Sequence, residues 1–157
     1  MNTVTFAWVG PTPLVLELSK PLRQISVEFE PHGLPMFVTL WRQDGTGLRL
    51  SSDMRDVAER KEVGLLQFGH VSSPKLGETV VDISSAFNGP NAVFKLVIHE
   101  SGASVESGVV LKASDDSEIV IVASASPYLL ALSGVLPAPY TFNPEYPLDR
   151  YSRIPLT

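Results

Sequence analysis

Arg23-Gln24-Ile25-Ser26-Val27-Glu28-Phe29-Glu30 alternates apolar and polar side chains without interruption. Successive side chains of an extended chain point to opposite faces, so Ile25, Val27 and Phe29 share an apolar face while Gln24, Ser26, Glu28 and Glu30 share a polar one. The segment therefore predicts a strand with one face on a core and one in water. The same period continues on either side of it. Val4, Phe6 and Trp8 fall on one face of an N-terminal strand, and Leu14, Leu16 and Leu18 repeat the pattern after the Gly10-Pro11-Thr12-Pro13 break. Beyond the turn residues Pro31, Gly33 and Pro35, a further strand runs from Met36 to Arg42. Asp44-Gly45 then predicts a hairpin returning through Leu48 to Leu50.

One stretch breaks the period of two. Met54, Val57 and Ala58 stand at i, i+3 and i+4, and Ser52 or Asp53 can serve as N-cap, which predicts a short helix. Strands resume at Val63 to Phe68, Glu78 to Ile83 and Ala92 to Glu100. In the last, Phe94, Leu96 and Ile98 are expected to point inward, with Lys95 and His99 facing water. From Gly108 to Leu132 the chain is more continuously apolar, as in Ile119-Val120-Ile121-Val122-Ala123, which suits central strands covered on both faces. Past Gly134 the prolines at 137, 139, 144, 147 and 155 exclude regular helix and central strand, so residues 135–157 read as an extended tail. That tail carries Tyr140, Phe142, Tyr146 and Tyr151 and is expected to lie on the domain or on a partner.

The fold class that follows is a mainly β, antiparallel sandwich or open barrel formed by residues 1–134, with one short helix and the C-terminal tail. Val38 to Ser52 aligns without gaps on Val109 to Ala123: Val38 meets Val109, Leu40 Leu111, Asp44 Asp115, Leu48 Ile119 and Leu50 Ile121. Both segments are strand, acidic turn, strand. The match fits two related halves, and it fits equally two unrelated hairpins with apolar alternation.

Composition bounds the function. The 157 residues are 44% hydrophobic and 18% charged, the balance of a chain that packs a core. With 17 acidic and 12 basic residues the net charge is -5, and the basic residues are not gathered, so no nucleic-acid partner is expected. The absence of cysteine excludes disulfides, thiol nucleophiles and thiolate metal sites. No apolar run approaches the ~18 residues of a membrane helix. The start, Met1 to Phe6, lacks the pattern of a secretory signal, so the expectation is a cytoplasmic protein away from membranes.

Catalytic and metal motifs are weak. His32, His70 and His99 are scattered and lack ligand spacing. The acidic residues Asp53, Asp56, Glu59 and Glu62 are interleaved with Arg55, Arg60 and Lys61, which points to local neutralisation. Asp115, Asp116 and Glu118 lack the glycine and alternating oxygens of a calcium loop. Ser72-Ser73-Pro74-Lys75 matches Ser-x-x-Lys formally, without its companion motifs and with a proline inside it. No catalytic residue, metal ligand or cofactor is assigned. The aromatic residues say more: Trp8 is expected in the core, whereas Trp41 falls on the face opposite Val38 and Leu40. Trp41, flanked by Arg42 and Arg49 and joined by Tyr140, Tyr146 and Tyr151, is the candidate partner-binding set.

Ser51-Ser52-Asp53-Met54-Arg55-Asp56-Val57-Ala58-Glu59-Arg60-Lys61-Glu62-Val63-Gly64 and Asn143-Pro144-Glu145-Tyr146-Pro147-Leu148-Asp149-Arg150-Tyr151 resemble stretches of small uncharacterised bacterial proteins, some of the kind carried beside toxin genes as immunity proteins. The resemblance covers about a third of the chain at the motif level, implies a cytosolic acidic protein that occludes one toxin without catalysis, and transfers no active-site residue. Three readings follow. The first is a non-catalytic protein-binding domain with a protein partner, self-pairing to a homodimer through exposed strand edges being a variant of it. The second is a small-ligand or carbohydrate-binding sandwich using Trp41 and the tail tyrosines as a stacking platform. The third is a cupin-like enzyme with His70 or His99 beside Glu62 or Asp82.

Overall fold

In the computed structural model, which describes residues 4–10, 14–136 and 141–156, the alternating segments form two antiparallel sheets packed as a sandwich. The first holds β2 (Leu22–Phe29), β3 (Pro35–Arg42), β4 (Gly47–Ala58), β5 (Lys61–Val71) and β6 (Thr79–Val81), in the spatial order β5-β4-β3-β2-β6. The second holds β7 (Ala92–Glu100), β8 (Ala103–Lys112), β9 (Glu118–Ala123), β10 (Leu130–Ser133) and β11 (Ser152–Pro155), in the order β10-β9-β8-β7-β11. The short strand β1 (Val4–Phe6) adds to the second sheet in parallel with β8. No described helix is long and apolar enough to cross a membrane.

The two sheets repeat one another. Each is a meander of four strands whose fifth returns to pair antiparallel with the first. The aligned hairpins also share register: Val38 pairs with Leu50 and Leu40 with Leu48, as Val109 pairs with Ile121 and Leu111 with Ile119. Their turns match atom for atom. Arg42 N–H donates to Thr46 O and Ala113 N–H to Ser117 O, both at 2.9 Å. Asp44 Oδ1 accepts the Thr46 N–H and Asp115 Oδ1 the Ser117 N–H, both at 3.0 Å. The third turn position is left-handed in each, Gly45 at φ +86 and Asp116 at φ +70. Glycine adopts that conformation without the steric cost of a Cβ. Asp116→Gly is therefore expected to stabilise the fold by about 0.5–1 kcal/mol, read as a raised urea midpoint at unchanged slope.

Ile25, Val27, Val38, Leu40, Leu48 and Leu50 face Val93, Val109, Leu111, Ile119, Ile121, Leu130 and Leu132 across the sandwich, all buried. Each such side chain contributes roughly 1.5–3 kcal/mol. A second apolar layer covers the outer face of the second sheet: Leu96, Ile98, Val105, Val110, Val120 and Val122 pack under Val63 and Leu65 of β5 and under Tyr151, Phe142 and Tyr146 of the tail. The continuously apolar strands are thus covered on both faces, as their composition requires. The sheet edges are stitched at two points, by a parallel bridge from Val9 to Gln67 and an antiparallel one from Leu136 to Asp82.

Three expectations are corrected. The predicted helix around Met54, Val57 and Ala58 is the far half of β4, paired residue by residue with β5 from Asp53↔Leu65 to Asp56↔Glu62. The apolar return strand with Val63 and Leu65 outweighs local helical spacing, and Arg60 takes the left-handed position of the turn. The one α-helix among the described residues is instead α1 (Leu14–Ser19), where strand alternation was expected. Leu14 and Leu18 face the core one helical turn apart while Leu16 is exposed. In β7, Phe94, Leu96 and Ile98 point to the outer layer, and Lys95 points to the side between the sheets. The tail packs on its own domain. It contains a 3-10 turn (Leu148–Arg150) and the edge strand β11, where Pro155 is tolerated. Arg150 pairs with Glu100, and Arg153 grips Glu118 with both guanidinium nitrogens.

Candidate functional site

Trp41 sits on the outer face of the first sheet, as its position opposite Leu40 requires, yet it is 1% exposed. Its expected role as an exposed anchor is corrected: the chain following β5 folds back over it. The indole N–H donates to Ser26 Oγ at 2.9 Å, and the ring packs so closely against the facing Gly47 that a Cβ there would come within 2.6 Å of it. Ser26 Oγ–H donates to Glu78 Oε2, while Glu78 Oε1 accepts from Arg49 at 3.1 Å. The Glu78 side chain is only 3% exposed. Arg49 is likewise committed, lying 5.3 Å from the centre of the Phe37 ring, with Lys75 Nζ over the same ring at 5.8 Å.

The segment that Glu78 anchors is a tight turn. Glu78 Oε2 accepts the Lys75 N–H at 3.3 Å, the Glu78 N–H reaches back to Lys75 O, and Gly77 has φ +90, the conformation the third position of a type II turn demands. At the apex Leu76 is fully exposed. Next to the Arg49 end of this network lies a shallow groove of about 210 Å³ lined by Arg49, Ser51, Gln67, Gly69 and His70, with open space above Gly69. The exposed Leu76 thus stands beside Lys75 and the Arg49–Glu78 ion pair.

The remaining candidates lie elsewhere. Arg42 is 1% exposed and works as an internal clamp: Nε donates to Thr46, Nη1 donates to Glu17 O at 3.1 Å, and Nη1 forms an ion pair with the Glu17 carboxylate at 2.7 Å. Burial would raise the Glu17 carboxyl, but hydrogen bonds and charge from Arg42 and Lys20 outweigh it and hold it below its ordinary range. Tyr151, in the tail, is buried against the outer layer of the second sheet, and its hydroxyl accepts the Tyr146 N–H. Tyr146 lies under the Arg150 guanidinium at 4.7 Å. Burial, with the charges of Glu100 and Glu145, pushes the Tyr146 hydroxyl up to about 12. Trp41 and these tyrosines are on opposite outer faces, so no stacking platform forms from them. Tyr140 lies outside the described residues.

Among the described residues no hydrogen bond joins His70 or His99 to Glu62 or Asp82. His70 and Glu62 are eight positions apart on the extended β5, about 26 Å at ~3.3 Å per residue. His99 is hydrogen-bonded to Ser104 and Ser152. Among the described residues no three His, Asp or Glu side chains gather as a metal site requires. Asp53 is neutralised by Arg55 and also bonded by Gln67, in line with a solvated charge cluster. Ser72 and Lys75 are both exposed in a loop. Sequence reasoning missed Leu76 and Glu78, although Leu76-Gly77 behind Pro74 carries a turn signal. No family model matches the chain, and neither a curated protein nor a solved structure matches it.

Proposed function

We propose that this chain is a non-catalytic protein-binding domain of the immunity kind, a cytosolic protein that occludes one partner through the Lys75–Glu78 turn. The observation that carries the reading is the fully exposed Leu76 held at the apex of a turn whose base is pinned by the buried Glu78. Holding an apolar side chain out on a rigid support removes the ordering cost of binding in advance. Burying a leucine in a partner's pocket supplies roughly 1.5–3 kcal/mol. Lys75, exposed beside Leu76, gives that leucine a cationic neighbour, which a partner's pocket with an acidic rim would match.

The test is co-expression of the chain with each protein encoded beside it, as wild type and as Leu76→Asp. Leu76 has no packing role, so the variant is expected to melt with the wild type. A stoichiometric complex whose Kd rises about 100-fold in the variant supports the reading, since about 2.7 kcal/mol is what losing an apolar anchor and burying a charge removes. A complex indifferent to the substitution overturns the turn as the contact, and no complex with any neighbour overturns the binding role.

A further inference from the structure

A second site stands at one mouth of the sandwich, and sequence periodicity misassigned it. In β7 and β8 the pairing shifts from Leu96↔Gly108 to Val97↔Glu106, leaving Ser107 as the extra residue of a bulge. The bulge changes which side of β8 faces the core: Val105 belongs to the outer layer, whereas Val109 and Leu111 belong to the layer between the sheets. Glu106 is thereby turned to the inner side, where Lys95 also points. The two pair at 2.8 Å with Glu106 only 8% exposed. Bulges that re-aim a side chain are a recurrent device beside binding sites.

This ion pair borders a cleft of about 300 Å³ whose other walls are Trp8, Leu14, Val15 and Leu156. The carboxylate is already committed: Oε1 accepts the Trp8 backbone N–H and Oε2 the ammonium, both at 2.8 Å. The ammonium is not. Among the described residues Lys95 Nζ makes this one hydrogen bond, and it lies 5.1 Å from the centre of the Trp8 ring, leaving donors for a guest. The Trp8 indole N–H is buried in the wall without an acceptor among the described residues. A charged pair facing a core is a weak source of stability, and apolar residues of similar volume would serve packing as well or better. Its placement needs another reason.

We infer that this cleft binds a small carboxylate with an apolar body, its anionic head on Lys95 and its aliphatic part against Leu14, Val15 and Leu156. At roughly 30 Å³ per non-hydrogen atom the space holds about ten of them, the size of a short-chain acid. The apolar C-terminal residue of a peptide offers the same head and body.

The experiment uses the wild-type protein with ¹⁵N-labelled tryptophan. Two indole signals report separately, Trp8 from the cleft and Trp41 from the far face of the other sheet as internal control. Hexanoate, N-acetylleucine, hexanamide and hexylamine are titrated in turn. A saturable shift of the Trp8 signal with a carboxylate, at least tenfold tighter than with the amide or amine, supports the site. Tighter binding of hexanoate then assigns a free acid, and tighter binding of N-acetylleucine a chain terminus. In Lys95→Met the carboxylate response is expected to fall at least tenfold and the Tm to drop, because Glu106 loses its counter-charge; Lys95→Met combined with Glu106→Gln should show the same loss of binding with the Tm recovered, and Lys95→Arg is expected to retain binding. No saturable shift of Trp8, equal binding of hexylamine, or undiminished binding in Lys95→Met would each overturn the inference.

Discussion

Arg42→Ala is expected to lower the free energy of unfolding by about 3 kcal/mol at pH 7, the lower end of what breaking a buried pair from one side costs. The guanidinium joins α1 to the β3–β4 turn, donating to the Glu17 backbone carbonyl and to Thr46 and pairing by charge with the Glu17 carboxylate. Without it Glu17 retains only the exposed Lys20 as a counter-charge, and the Glu17 carbonyl loses its donor. Urea unfolding should show a reduced midpoint at unchanged slope. Arg42→Lys should recover part of the loss, because a lysine carries the charge without the fork that reaches both partners.

The same pair sets an acid dependence. The Glu17 carboxyl is held below its ordinary value near 4.5, so its contribution is present above that value and lost as the pH falls through the folded value. The gap between wild type and Arg42→Ala should therefore be widest near neutrality and narrow below about pH 4. A gap independent of pH would show that the backbone hydrogen bonds, and not the ion pair, carry the effect.

What was legible in the sequence was what local geometry decides. The alternation of Ile25, Val27 and Phe29 and the turns at Asp44-Gly45 and Asp115-Asp116 depend on neighbours within a few residues, and they correctly gave strands, hairpins and the shared pattern of the two halves. Leu14, Leu16 and Leu18 satisfy a strand at period two and a one-turn helix at i, i+4, and so short an apolar run does not separate them. Met54, Val57 and Ala58 read as helix because the deciding partner, Val63 with Leu65, comes from a returning strand. Trp41 was placed on the correct face, but its exposure depended on whether Glu78 tied a loop back over that face. Lys95 was assigned to water because the apolar face of Phe94, Leu96 and Ile98 was taken to meet the other sheet, whereas it meets the layer under the tail and leaves Lys95 on the inner side. The two misassigned faces lie where a distant segment covers a sheet, the Glu78 turn over Trp41 and the tail over Phe94, Leu96 and Ile98, and each borders a candidate site.

The tail supplies the other large effect. Tyr151→Ala is expected to cost about 3–4 kcal/mol, the usual range for truncating a buried aromatic side chain. Its ring lies in the outer apolar layer, packs edge-on to Tyr146 at 6.2 Å, and carries the hydroxyl that accepts the Tyr146 N–H. Hydrogen exchange should locate the damage. The amides of Gly64, Ala125 and Glu145 donate to Glu145 Oε1, Asn143 O and Ala123 O, so lifting the tail should strip their protection together while the Val38–Leu50 pairing keeps its own. Glu145 within this strap acts in the opposite direction. Burial raises its carboxyl, only partly offset by the Gly64 N–H and by Lys61, with Glu100 adding to the rise. A group raised in the folded state stabilises fully below its unfolded value and loses that contribution as the pH rises through the folded one. Glu145→Gln keeps an acceptor for Gly64 and removes the charge, so at pH 7 it should raise the Tm by about 2–4 °C, with no gain near pH 3. In the Tyr151→Ala background the gain should vanish, because a tail already lifted leaves Glu145 in water. Additive effects of the two substitutions would mean that Tyr151 and Glu145 do not hold a common strap.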